Sequence, residues 1–392
     1  MKRKIAAVTS SRADYNHLYW PLHELASHAE VELKIIALGS HLSPEFGCTA
    51  EEIEKAGFPI AARIECLLSS DSDVGMAKTI GVAALGLADC LGEMRPDLML
   101  LIADRYEMLA PAAVATALRI PLAHVEGGEI SEGAIDDAIR NALTKLSHLH
   151  FTSTETARAR VIAMGEEEWR VHRAGAASLD HLRRSALMSR EQVEARLDIQ
   201  LRRPTALIAF HPTTIARDPT REAEALFTAL ESVPAQQVFC YPNADAGSRA
   251  LIARTKALTG RMEGSRVFIN LDPVLYWSLL RTVDILIGNS SSGIMEAASF
   301  ALPVVNVGIR QRGRERGRNV LDAEASAAAI RERVGEAMTE SFRASLRGME
   351  NPYGDGHAAE RMARVLTTAP LGEPLLTKRA RAMEPGGGER RE

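Results

Sequence analysis

A chain of 392 residues is too long for one ordinary hydrophobic core, so two domains of similar size are expected. Its 47 basic and 51 acidic side chains leave a formal net charge of −4. That balance excludes a general attraction for nucleic acid or an anionic membrane and leaves any bound anion to local groups.

In chain order, the apolar run after the first four residues is broken by polar residues too early for a signal peptide. No window approaches the ~18 apolar residues needed to span a bilayer, and a cytoplasmic protein is expected. Cys48, Cys66, Cys90 and Cys240 lie far apart with no CxxC pair, which favours reduced thiols over disulfides or zinc. The runs 4–10, 33–39, 97–103 and 120–126 read as buried parallel strands. Helical spacing follows at 73–95, 107–119 and 134–147. Charged text over 188–204 marks a boundary between a domain at 1–188 and another at 204–370. A second series of strands then runs through 205–211, 236–241, 266–271, 284–289 and 303–308. Helices are expected at 219–232, 247–259, 273–282, 292–301 and 324–339, and a last helix is placed to pack back on the first domain. Strands alternating with helices imply two α/β, Rossmann-like domains with parallel sheets and a central cleft. The Gly- and charge-rich text over 371–392 reads as a disordered tail.

Ligands in such folds sit at the carboxyl ends of strands, so the residues just after each strand carry the functional argument. Ser10-Ser11-Arg12 suits an anion, although a capped helix with a surface arginine explains it equally well. Ser290, Ser291, Ser292 and Gly293 open a helix and read as a phosphate cradle without a Walker lysine. Glu296 either faces a ribose or supports that helix. Arg310 begins an arginine-rich loop placed to cover a pyrophosphate.

In the first half, Asp104-Arg105, Glu126-Gly127-Gly128-Glu129 and Asp136-Asp137 bring acids to one sheet edge. The Gly-Gly pair is read as letting backbone approach a ligand. Crowded carboxylates push one another's pKa values apart, which supplies both an acid and a base. His211 follows a strand and either donates to a phosphate or acts as a general acid, against a plain core histidine. Asn243 and Asp245 form a weaker ribose- or base-contacting candidate.

These residues in this order resemble the hydrolysing UDP-N-acetylglucosamine 2-epimerases. The motifs include SRADY (11–15), DRYE (104–107), HVEGGE (124–129), the segment 133–155, HPTT (211–214), GNSSSGI (288–294) and NPY (351–353). The resemblance implies a glycosyltransferase-B-like fold, a homo-oligomer (dimer or tetramer), and neither metal nor nicotinamide cofactor. It implies elimination of UDP from UDP-GlcNAc to 2-acetamidoglucal, then hydration to N-acetylmannosamine, in sialic acid-type synthesis. Asp104, Glu126 and Asp136 match the catalytic acids. Arg12, Arg105, His211, Ser290, Ser291, Glu296 and Arg310 match UDP-contacting or cleft positions.

Two departures stand out. Ala103 replaces the usual glycine before Asp104, and Asn141 replaces a histidine after Arg140. The second leaves room for the same chemistry on a UDP-2,4-diacetamido-2,4,6-trideoxyhexose, as in legionaminic acid synthesis. Two readings of other kinds are a glycosyltransferase and a non-catalytic UDP-sugar-binding regulator. Neither accounts for several acids around one sugar carbon.

Overall fold

The structure is a computed structural model that describes residues 2–68, 72–132, 134–211, 221–240, 248–268 and 271–379. Asn243 and Asp245 lie outside the described residues. The first half holds β1 (Arg3–Thr9), β2 (Val31–Leu38), β3 (Ile60–Ile64), β4 (Leu98–Ile102), β5 (Leu122–Val125), β6 (Leu149–Thr152) and β7 (Val171–Arg173). The second holds β8 (Thr205–Ala209), β9 (Gln236–Cys240), β10 (Arg266–Phe268), β11 (Ile285–Gly288), β12 (Val304–Val307) and β13 (Val320–Ala323).

The first sheet is ordered β3-β2-β1-β4-β5-β6-β7 and the second β10-β9-β8-β11-β12-β13, with every pair parallel. Apolar strands covered on both faces give each half its core, around Ile5, Leu100 and Val125 in the first and Ile208, Ile287 and Val305 in the second. In both sheets the chain reverses direction across the order at one place, between β1 and β4 and between β8 and β11. Crevices at such switch points are where open α/β sheets bind ligands.

Local sequence explains the helices beside these crevices. Ser11 caps the helix Arg12–Ser27 by accepting from the Asp14 backbone N–H at 3.3 Å. Asp272 caps Pro273–Thr282 in the same way, with proline at the first turn.

One feature adds to the expectations and two correct them. The charged text over 188–204 contains the helix Arg190–Leu197, closed by a capping box between Ser189 and Gln192. Its Val193 and Leu197, with Ile199 and Leu201, pack into the core of the second half. Residues 371–379 are not structureless. A short helix, Glu373–Leu376, buries Leu375 against the first half, which already receives Met362 and Leu366 from the helix Ala358–Thr368. Finally, the helix Asp73–Met94 is long and apolar enough to cross a membrane by length and composition. It is the crossover between β3 and β4 of one sheet and buries Ala83, Leu87 and Leu91. Its apparent span comes from apolar residues on both sides, since Val74, Val82 and Leu85 are exposed opposite the buried stripe.

Candidate active site

The loops after β1, β4, β8 and β11, the four strands at the switch points, line one cleft in two adjoining compartments. The first is walled by Arg12, His17, Ser178, His211, Tyr276, Ser290, Ser291, Ser292 and Glu296. The second holds Asp104, Arg105, Glu126, Ser131, Asp136, Arg310 and Arg314, with an apolar side of Met76, Tyr106, Ile135 and Met295. Ala13, His17 and Ser291 line both and mark the seam.

The serine loop exists because Gly288 ends β11 at φ 147, where a Cβ would overlap the Ala209 carbonyl. That closeness lets the Asn289 and Ser290 N–H groups donate to Ala209 O at 3.0 and 3.1 Å. Ser290 caps the short helix Ser291–Met295. The hydroxyl of Ser292 meets Tyr276 Oη at 2.5 Å and Ser290 Oγ at 3.0 Å. Gly293 is buried inside this helix, where a Cβ would press on Val304 and Leu286. Glu296 is buried and accepts from Ser178 Oγ at 2.6 Å, across from the other half. Burial pushes its carboxyl up, although His17 opposes the shift. The Arg12 guanidinium donates to Leu271 O at 2.6 Å.

The His211 backbone is fixed by Asn289, whose Oδ1 accepts from His211 N at 2.7 Å and whose Nδ2 donates back to His211 O at 2.9 Å. Burial, with Arg310 nearby, drives the imidazole down to about 3. A neutral ring suits the hydrogen-bond donor of the expected roles.

In the acid compartment the Asp104 carboxylate is bound by Arg140. That arginine is almost wholly buried and also donates to Glu129 O at 3.0 Å and Ser131 Oγ at 3.2 Å. Burial pushes Asp104 up, but Arg140 and Arg314 together outweigh it and hold the group below its ordinary range. Glu126 Oε1 meets His17 Nδ1 at 2.7 Å. Burial again opposes the charge, and His17 with Arg314 keeps Glu126 low. His17 is lowered by burial but raised further by Glu126, to about 9. Asp136 faces Arg310 Nη2 at 3.7 Å, and Arg310 also donates to Asn289 O at 3.2 Å. Glu129 sits 3.5 Å from Arg314 Nε, with its carboxyl pushed up by burial. Asp104 and Glu126 are thus shifted down, while Glu129 and Glu296 are shifted up.

The cleft is lined by most of the described residues expected there from sequence, but Gly293, Glu129 and Asp137 line neither compartment, and two refinements follow. Arg105 belongs to the acid compartment, where it donates to the buried Glu107 at 3.0 Å. Gly128, at φ 81, brings backbone against the helix Glu155–Ala163 rather than a ligand, since a Cβ there would overlap Ala157 O. Sequence reasoning missed His17, Arg140 and Arg314. Helical spacing was the available signal: His17 lies four residues after Ala13, and Arg140 four after Asp136. Asn141 donates to Asp137 at 3.3 Å and lines neither compartment. Among the described residues no cluster of three or more His, Cys, Asp or Glu is placed to hold a metal ion.

Residues 23–367 match the family model described as UDP-N-acetylglucosamine 2-epimerase. A relative from Legionella pneumophila, named UDP-N,N'-diacetylbacillosamine 2-epimerase (hydrolyzing), is 35% identical over 96% of this chain and 99% of its own. A Campylobacter jejuni relative, named GDP/UDP-N,N'-diacetylbacillosamine 2-epimerase (hydrolyzing), is 36% identical over 82% and 85%. A UDP-N-acetylglucosamine 2-epimerase from Neisseria meningitidis is 29% identical over 82% and 84%. In fold, the chain is similar to a Neisseria meningitidis UDP-GlcNAc 2-epimerase crystallised with UDP-GlcNAc, with TM-score 0.76 at 17% identity over 93% and 99%. Its two Rossmann-like domains have the glycosyltransferase-B-like arrangement of those enzymes. The match spans both halves and the cleft between them, and the chain belongs to the UDP-N-acetylglucosamine 2-epimerase family.

Proposed function

We propose that the chain is a hydrolysing 2-epimerase of a UDP-linked 2-acetamido sugar. A carboxylate takes the C2 proton, the C1–O bond breaks with its electron pair leaving on the diphosphate, and a 2-acetamidoglucal forms. Water then adds its hydroxyl at C1 while a proton returns to the opposite face of C2. Net, one UDP-sugar and one water give UDP and the free 2-epimer.

The observation that carries this reading is the gathering of Asp104, Glu126 and Asp136 in one compartment beside a serine- and arginine-lined one. Two carboxylates shifted down next to two shifted up provide the opposed proton affinities that abstraction and return require. Arg12, Arg310 and the serine hydroxyls supply donors for charge growing on the leaving diphosphate. His211, neutral, serves as a further donor.

Two observations favour the 2,4-diacetamido-6-deoxy sugar over UDP-GlcNAc. The relatives at 35–36% identity are named for diacetylbacillosamine, and those named for UDP-N-acetylglucosamine or polysialic acid stand between 23% and 31%. The acid compartment also has its apolar side of Met76, Tyr106, Ile135 and Met295. That side suits a C6 methyl and a second acetyl group better than hydroxyls.

Each sugar nucleotide, incubated with the protein in deuterated water and followed by NMR, tests this. UDP release with deuterium at C2 of a free 2-epimer supports the reading, and the faster substrate identifies the sugar. A lasting UDP-linked epimer would assign a non-hydrolysing epimerase. Tight UDP binding with no turnover of either sugar would leave a regulator.

A further inference from the structure

We propose that His17 is a catalytic residue of this cleft: from the seam its Nε2–H hydrogen-bonds the diphosphate oxygen leaving C1, while its Nδ1–H fixes Glu126. The inference rests on the elimination reading above. Of the three residues that line both compartments, Ala13, Ser291 and His17, only His17 can carry charge. The seam is where the bond joining sugar to phosphate must lie if the phosphates occupy the serine side and the sugar the acid side.

His17 stands on the face of the helix Arg12–Ser27 that turns Arg12, Ala13 and Asn16 into the cleft. Its Nδ1 is committed to Glu126 Oε1 at 2.7 Å, and no protein partner for Nε2 is found among the described residues. The ring faces Glu126 on the loop after β5 and Glu296 at the end of the serine helix. Asp14 on its own helix adds to these, and His181 on the helix Asp180–Arg184 opposes them. The three carboxylates outweigh both burial and His181, so the ring is a cation at neutral pH. As the C1–O bond breaks, the electron pair moves onto an oxygen that this cation already contacts. No proton need change hands, because the C2 proton goes to a carboxylate. This is stabilisation aimed at charge that appears only as the bond breaks.

The test compares wild type with His17→Gln, which loses the charge, and His17→Lys, which keeps one. Circular dichroism checks that each is folded. Three quantities are read: the pH profile of kcat/KM for UDP release, the Kd for UDP, and hydration of pre-formed 2-acetamidoglucal with UDP bound. The folded-state pKa of His17 is raised, so the charged form is present below about pH 9 and lost above it. Wild type should therefore lose activity on that basic limb. His17→Gln should release UDP on the order of 100-fold more slowly with the limb gone. Its glucal hydration should fall less than about tenfold, since no leaving group is involved, and its UDP affinity should stay within about tenfold. His17→Lys should recover part of the rate with the limb moved up. Equal losses in elimination and hydration, or a limb unchanged in His17→Gln, would overturn the leaving-group role while the elimination reading survives. Failure of wild type to release UDP from either sugar overturns both.

Discussion

Asp104 lies just beyond β4, facing the cleft in front and Arg140 behind. Replacing its carboxylate with an amide removes a charge from the acid compartment but keeps the shape. Asp104→Asn should lower turnover on the order of a thousandfold, the range of a lost general acid or base. Its UDP affinity should stay within about tenfold, since Asp104 is not on the serine side. Steady-state kinetics with calorimetric UDP titration checks both, and full activity in the variant would remove Asp104 from the chemistry. Its neighbour Ala103 holds φ 57, a left-handed conformation that costs an L-residue roughly 1–2 kcal/mol. Ala103→Gly relieves that strain and gives back part of it in unfolded-chain entropy, so a gain of about 0.5–1 kcal/mol in urea unfolding is expected. A loss of stability would show that the Ala103 methyl packs better than its backbone suggests. Asp104 and Glu126 were legible from sequence because each follows a strand, and Asp136 because it opens the next helix as one of a pair of acids. The cations that set their charge states were not, because Arg140 and Arg314 reach them only through packing between elements.

At the scale of elements, legibility followed burial. The wholly buried strands β4, β5, β8, β11 and β12 read as continuous apolar runs, and all were found. Those missed were β3 and β7, which close the two edges of the first sheet, β13 at one edge of the second, and β6. Edge strands such as β3 alternate in exposure, and β6 alternates Leu149 and Phe151 with the buried polar His150 and Thr152, so neither presents the apolar run that marks an inner strand. The segment after Pro370 failed differently, because it is held mainly by backbone carbonyls. Arg170 donates to Leu375 O at 2.8 Å and Thr377 O at 2.6 Å, and Lys378 Nζ reaches the buried Glu166 at 2.7 Å. A chain ended at Pro370 loses the burial of Leu375, worth about 1.5–3 kcal/mol. It also leaves Arg170 without those acceptors, so a total loss near 3 kcal/mol in chemical denaturation is expected. None of these residues lines the cleft, and kcat/KM should be unchanged. Unchanged stability in the shortened chain would mean the segment merely rests on the surface.

At the scale of the molecule, several contacts that join the halves are made by the site itself, beside an apolar cluster of Ala176 and Leu179 with Trp277 and Ile294. Arg12 reaches Leu271 O, Arg310 faces Asp136, Arg314 faces Glu129, and Ser178 binds Glu296. Both arginines expected to meet phosphate are thus on protein acceptors. A diphosphate between the halves would replace a carbonyl and a 3.7 Å carboxylate contact with doubly charged acceptors that each arginine can grip more strongly. A diphosphate that binds the native state alone stabilises it by mass action. UDP at 100 times its Kd should add about 2.7 kcal/mol, seen as a rise in Tm. Uridine at the same concentration lacks the phosphates and should add little. Arg310→Met should lose most of the UDP shift while its behaviour with uridine stays as in wild type. Scanning calorimetry of both proteins with both ligands decides the matter. Equal shifts from UDP and uridine would show that the base rather than the diphosphate carries the binding, and a full UDP shift in Arg310→Met would show that Arg310 does not grip the diphosphate.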